Sequence, residues 1–196
     1  MARGSDNRSP LSFSCDCGTV TGQLSPVQGN HVVCYCADCR AAELFLNRDD
    51  PAPRPVDLFQ TLPETISFTT GAAQIAVFRL SPRGPLRWYA SCCKAPLFNT
   101  LASPKLPFCA IHSARLSDLS RIGRVTIRSF APQPGGKRKT EGAARMVWSV
   151  LGRMAAARIS GRWRRTPFFD DKGAPVATPE LISRDIRNTL YPDGKF

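Results

Sequence analysis

The chain has no apolar run approaching the roughly 20 residues that a membrane-spanning helix needs. Its first segment, Met1 to Ser14, is polar, with Arg3, Asp6, Asn7 and Arg8 and no apolar stretch of the secretory kind. These two absences exclude a spanning helix and a signal-peptide reading, and the expected setting is reducing and cytoplasmic. No internal repeat is visible. Acidic residues are scarce, 15 Asp and Glu against 27 Lys and Arg, for a formal charge of +12. From Ala131 onward the count is thirteen basic against six acidic residues, net +7. Such an excess is either a solubilising tail or an anion-binding surface, and charge alone does not choose between them.

What is present in excess is cysteine. Eight cysteines in 196 residues form a disulfide framework only in an oxidising compartment, so here they read as thiolates for metal binding or chemistry. The length suits one domain with an appendage, and its core is large enough to fold without staples.

Short runs rich in strand formers, separated by Pro and Gly, predict strands at Leu11–Ser14, Thr19–Leu24, His31–Cys34, Thr65–Thr70, Gln74–Leu80, Leu86–Ala90, Phe108–His112 and Arg124–Phe130. The fold class is therefore mainly β, built of short antiparallel strands. One short helix is expected over Arg40–Asn47, after Cys39 and before Pro51 and Pro53. Residues 1–10 are expected to be disordered, 11–130 to form the metal-binding domain, and 131–140 (APQPGGKRKT) to be a linker. In 141–196 an amphipathic helix is expected from Glu141 to Ser160, with Thr140 as cap. Its apolar face is Ala143, Met146, Val147, Val150, Leu151 and Met154, with Arg145, Ser149, Gly152 and Arg153 elsewhere. An extended arm containing Arg162 to Phe169 then folds back on the domain.

Two cysteine constellations carry the chemistry. In Cys34-Tyr35-Cys36-Ala37-Asp38-Cys39, two thiols leave a strand end on one side and the chain turns so that the third joins them. No fourth protein ligand is adjacent, and soft thiolates suit zinc, with iron or copper as alternatives. The second constellation joins Cys15-Asp16-Cys17-Gly18 to Cys92-Cys93, where a zinc would clamp two hairpins and stabilise the fold. Adjacent cysteines rarely both reach one metal without backbone bending, which leaves open whether Cys92, Cys93 or both serve. Cys109 and His112, in C-x-x-H spacing, read as a core cysteine and an ordinary histidine, because a strand points them to opposite faces. His31 reads as a strand residue.

The motif Cys15-x-Cys17-Gly18-x-Val20, then Cys34-x-Cys36-x-x-Cys39-Arg40, then a cysteine group before Pro96-Leu97, resembles the glutathione-dependent formaldehyde-activating enzyme and centromere protein V family. The likeness runs from about Leu11 to Ile111. It implies a β-tent zinc fold in which C-x-C and a later C-x-x-C hold a structural zinc, while C-x-C-x-x-C binds a second, catalytic zinc open to a thiol. Ala90 stands where the first cysteine of that C-x-x-C belongs, so Cys92 is the candidate replacement, and Lys94 stands at a family glycine. The basic extension marks an uncharacterised branch.

Two functions follow as expectations. The first is a carbon–sulfur lyase-like enzyme with two zinc ions, acting on a glutathione-type thiol adduct of formaldehyde or a related electrophile. Cys34, Cys36 and Cys39 carry its open site, with Asp38, Tyr35 and His31 as candidate proton donors. The second is a non-catalytic zinc-stabilised module that binds nucleic acid or another anionic partner through the basic tail. The oligomeric state is not legible in the sequence.

Overall fold

The computed structural model describes residues 9–191. Residues 1–8, most of the segment expected to be disordered, lie outside it; Ser9 and Pro10 are held by the Arg121 guanidinium, which donates to both carbonyls (2.6 and 2.9 Å).

The chain is mainly β. In order it forms β1 (Leu11–Ser14), β2 (Thr21–Leu24), β3 (Asn30–Cys34), α1 (Ala37–Phe45), β4 (Val56–Thr61), β5 (Ile66–Thr70), β6 (Ile75–Arg79), β7 (Leu86–Ala90) and β8 (Ala95–Thr100). Then follow β9 (Cys109–His112), β10 (Ile127–Pro132), β11 (Arg138–Glu141), α2 (Ala143–Ile159), β12 (Glu180–Leu181) and α3 (Arg184–Thr189). A three-stranded sheet, β1-β2-β5, faces a nine-stranded sheet in the order β11-β10-β3-β4-β9-β8-β7-β6-β12. Only β3–β10 and β6–β12 pair in parallel among the described strands.

Both sheets feed one aromatic core. Phe13 of β1 meets Phe98 of β8 edge-on at 5.2 Å, and Phe168 closes on Phe98 (5.2 Å) and Trp88 of β7 (5.1 Å). Each fully buried aromatic removes a large apolar surface from water, and edge-to-face geometry adds to that.

This packing corrects the expected domain layout. The segment 131–140 is not a linker: β10 runs through Pro132, a turn carries Gly135 and Gly136, and β11 returns antiparallel to β10. Nor are residues 141–191 an appendage, because Phe168 and Phe169 lie in the main core and β12 extends the large sheet. Strands β4 and β8 were not expected. All six residues of β8 are buried, so no alternation marks it, and Pro96 sits opposite Tyr89 where the β7–β8 register shifts. A residue without an N–H fits such an irregularity.

Helix α2 starts at Ala143 with Gly142 as its cap at φ 75°, not at Thr140, which belongs to β11. A Cβ on Gly142 would lie 2.6 Å from the Thr126 carbonyl oxygen, so glycine is required there. The buried face also differs from the expected one. Met146, Val150 and Met154 face inward together with Ser149 and Arg153, while Val147 and Leu151 point outward. Polar partners explain the rotation. Ser149 lies 3.1 Å from the Asn30 side-chain oxygen, and Arg153 donates to the Gln60 carbonyl at 3.5 Å.

Candidate metal centres

The end of β1 and the β7–β8 turn bring four thiols together. Cys15 and Cys17 flank a turn in which Gly18 takes φ 76°, a conformation suited to glycine. Across from them Cys92 and Cys93 lie in the turn closed by Lys94, which adopts φ 58° in the left-handed region. Its ammonium rests over the Tyr89 ring at 5.2 Å. That bend lets both neighbours converge: the Sγ atoms of Cys15, Cys17, Cys92 and Cys93 all lie within 4.8 Å of one another.

The separations fit a tetrahedral ion. Zinc–sulfur bonds of about 2.3 Å give a tetrahedral edge of about 3.8 Å. Observed are 3.5 Å for Cys15–Cys17, 3.4 Å for Cys17–Cys92, 3.9 Å for Cys15–Cys92 and 4.0 Å for Cys92–Cys93. The Val20 amide also donates to the Cys15 sulfur at 3.2 Å, as protein donors do to a charged thiolate. Ala90, at the end of β7, is fully buried and holds no place in the group. Asp16 is engaged by Arg48 (2.9 Å) and Arg115, which ties this corner to the segments that follow α1 and β9.

The second group has three thiols. Cys34 ends β3, Cys36 caps α1, and Cys39 lies in the first turn of that helix, with their sulfurs within 4.8 Å. The helix thus begins at Ala37, inside the motif, three residues before the expected start. The reason is local: the Cys36 sulfur accepts the Cys39 N–H at 3.3 Å, an N-cap contact that also favours a thiolate. Hydrogen bonds from Cys34 and Cys39 pull the Cys36 thiol down to about 3, and Arg87 adds to this. The contact with Cys36 pushes Cys34 up to about 11, and the contacts with Cys34 and Cys36, then burial, push Cys39 well above the thiol range. One negative charge is therefore comfortable and three are not, unless a cation joins them.

Cys34 and Cys36 open on a cleft of about 290 Å³, also lined by Arg40, Arg54, Arg138 and Tyr191. Cys39 lies behind them. Arg40 is clamped to Asp50 (2.8 and 2.6 Å), and Arg138 donates to the Tyr35 carbonyl at 3.1 Å. Arg54 is exposed and has no side-chain partner among the described residues. The Tyr191 hydroxyl donates to Asp38 at 2.6 Å, and burial, then Asp38, pushes its pKa up.

Of the expected proton donors, Asp38 and Tyr35 stand beside this group, Tyr35 accepting from Arg128 at 2.8 Å. His31 does not: its ring bonds Asp57 (2.8 Å) and the Gly123 carbonyl (2.6 Å). Cys109 is in the apolar core, and His112 faces Glu43 at 3.4 Å in a second cleft of about 480 Å³. Neither joins a sulfur group. Although His112 and Glu43 are close enough for an ion pair, burial dominates, holding His112 down to about 3 and pushing Glu43 up. Sequence reasoning missed Tyr191 and Arg138. No motif marks them, since the tail brings them to the cleft from more than 95 residues away.

A family model described as "Family of unknown function (DUF6151)" matches residues 8–180. No curated protein matches. Among solved structures, a Rhodobacter sphaeroides protein from structural genomics is similar at 16% identity and TM-score 0.43, covering 58% of this chain and 96% of its own.

Proposed function

The chain belongs to the DUF6151 family, and we propose that it is a zinc-dependent carbon–sulfur lyase-like enzyme acting on the adduct of an anionic thiol with formaldehyde or a related small electrophile. One contrast carries this reading: a complete four-thiol group stands beside a three-thiol group that faces a cation-lined cleft. The cysteine motifs that resemble the formaldehyde-activating family support the reaction class. Cys15, Cys17, Cys92 and Cys93 would hold a structural ion, and Cys34, Cys36 and Cys39 a second one. A zinc ion held by Cys34, Cys36 and Cys39 would supply Lewis-acid chemistry that favours the thiolate form of a bound thiol.

The chain's own residues do the rest. Arg54 and Arg138 attract and orient the carboxylates of the thiol. Val56, Pro51 and Leu190 narrow the cleft and limit water around the reacting carbon. In cleavage the hydroxymethyl oxygen loses its proton, the carbon–oxygen double bond forms, and the carbon–sulfur electron pair returns to sulfur. The Tyr191–Asp38 pair handles that proton: the Tyr191 phenol, held in its protonated form, donates to the Asp38 carboxylate at 2.6 Å and relays the proton to it.

The direct test follows exchange between free thiol, formaldehyde and adduct by NMR with zinc-loaded protein. Exchange faster than with the Cys39→Ser variant, with two zinc ions per chain, is expected. Equal rates would sink the catalytic reading. Deleting residues 131–196 is not a usable control, because it removes β11, the partner of β10, and the buried Phe168 and Phe169 of the core as well as Tyr191.

A further inference from the structure

Helix α2 is apolar on both sides, and its own fold uses one of them. The inner side, including Met146, Val150 and the fully buried Ala157, is turned to the large sheet. The outer side carries Trp148 (77% exposed), Leu151 (53%) and Ile159 (89%) at helical spacing, with Val147 on its flank. An exposed stripe of large apolar side chains on a helix whose other side is already packed calls for a cover.

The charge around it says which cover. From Gly142 to Pro167 the sequence contains six arginines and no aspartate or glutamate. On a helical wheel Arg145 and Arg158 flank the apolar stripe on opposite sides, and the next turn adds exposed Arg164 and Arg165. Arg158 and Arg164 both stack on Trp163, at 4.9 and 4.8 Å, which holds these guanidinium groups near an aromatic ring. A second copy docked on the same face would set these arginines against one another with no acidic partner on the helix. A nucleic-acid backbone would meet Trp148, Leu151 and Ile159 where it needs donors. An anionic lipid surface satisfies both halves at once, since acyl chains accept the apolar stripe and headgroups accept the flanking arginines. Tryptophan also favours the membrane–water boundary.

We propose that the outward face of α2 docks the protein on anionic membrane surfaces, lying in the interface without spanning it. Insertion of Trp148, Leu151 and Ile159 supplies the apolar contact, and Arg145, Arg158, Arg164 and Arg165 select for negative headgroups.

The test is flotation of the full chain with vesicles of phosphatidylcholine alone or mixed with phosphatidylglycerol. Binding only to the mixed vesicles, weakened by salt, is expected. Trp148→Glu with Leu151→Glu should lower partitioning about tenfold or more, because it places charge where acyl chains should sit. Both side chains are exposed, so circular dichroism and zinc content should match the parent; should the double variant misfold, Trp148→Ser alone provides the same reading with a smaller drop. No flotation, or flotation indifferent to these changes, overturns the proposal. So does a dimer that Trp148→Glu dissolves, or RNA binding that it leaves intact. Adduct exchange measured without vesicles is independent of all these outcomes.

Discussion

Cys15, Cys17, Cys92 and Cys93 meet at two turns near the surface, whereas Cys34, Cys36 and Cys39 are set into the joint between β3 and α1, over a cleft. The first group joins segments 75 residues apart in sequence, so an ion there would close a long loop; the second lies within six residues and closes almost nothing. Loop closure is where a cross-link stabilises most. Four thiols could complete a tetrahedral site from protein alone, whereas three could not, and the three border a cleft that Arg40, Arg54 and Arg138 also line. On the proposed function, the same ligand atom would serve once for stability and once for access.

The largest expected effect tests the first half. Cys15→Ser or Cys92→Ser should release one zinc equivalent and destabilise the protein by several kcal/mol, a large share of the roughly 5–15 kcal/mol of a typical domain. Cys39→Ser should also release one equivalent but lower stability by only about 1–3 kcal/mol. Metal analysis beside denaturant unfolding checks both. Equal destabilisation by the two substitutions would erase the division between a structural and an open site.

A pH effect of about 2 kcal/mol comes next, and it probes the buried ground under α1. His112 is buried, and burial, then Arg87 and Arg115, hold it down to about 3. Its unfolded-state value is near 6.5, so below that pH the unfolded chain binds a proton that the folded chain refuses. Stability therefore falls as pH drops from about 6.5 toward 3, by about 1.4 kcal/mol per pH unit, or about 2 kcal/mol between pH 7 and 5. Glu43, raised by burial, offsets part of this at the acid end, because the folded state takes up its proton first. His112→Gln should flatten the profile measured by thermal unfolding between pH 5 and 7. An unchanged slope would show that another group governs acid sensitivity.

Both sulfur groups were legible because ligand spacing is local and each thiol has few alternative uses. Whether Cys92, Cys93 or both belong to the first group was not legible, and the left-handed turn at Lys94 explains how the two neighbours converge. Strand β8 was illegible for a different reason. A strand buried on both faces has no two-residue rhythm, and Pro96 hides what remains. The tail was misread because composition governed the reading: Pro, Gly and basic residues suggested a linker, but Phe168 fits between Trp88 and Phe98 and draws the chain back. Tyr191 and Arg138 reach the cleft through that return, a consequence of packing that no spacing rule contains. The helix face of α2 was misplaced by counting apolar residues alone, since Asn30 and Gln60 reward Ser149 and Arg153 on the inner side.

The smallest effect sharpens the second half of the contrast. Arg54 lies on the cleft wall, is exposed, and has no side-chain partner among the described residues, so its removal should not disturb the fold. Its guanidinium is available for a substrate carboxylate, and a charge-assisted contact at a partly solvated site contributes about 1–2 kcal/mol. Arg54→Ala should therefore raise KM about tenfold for a carboxylated thiol, by about 1.4 kcal/mol, with kcat nearly unchanged if the contact is equal in ground and transition states. A thiol without carboxylates, such as 2-mercaptoethanol, should show no such loss, and zinc content should stay at the parental value. An equal loss with both thiols would place Arg54 in the scaffold instead, and the cleft would then lose its claim to select anionic substrates.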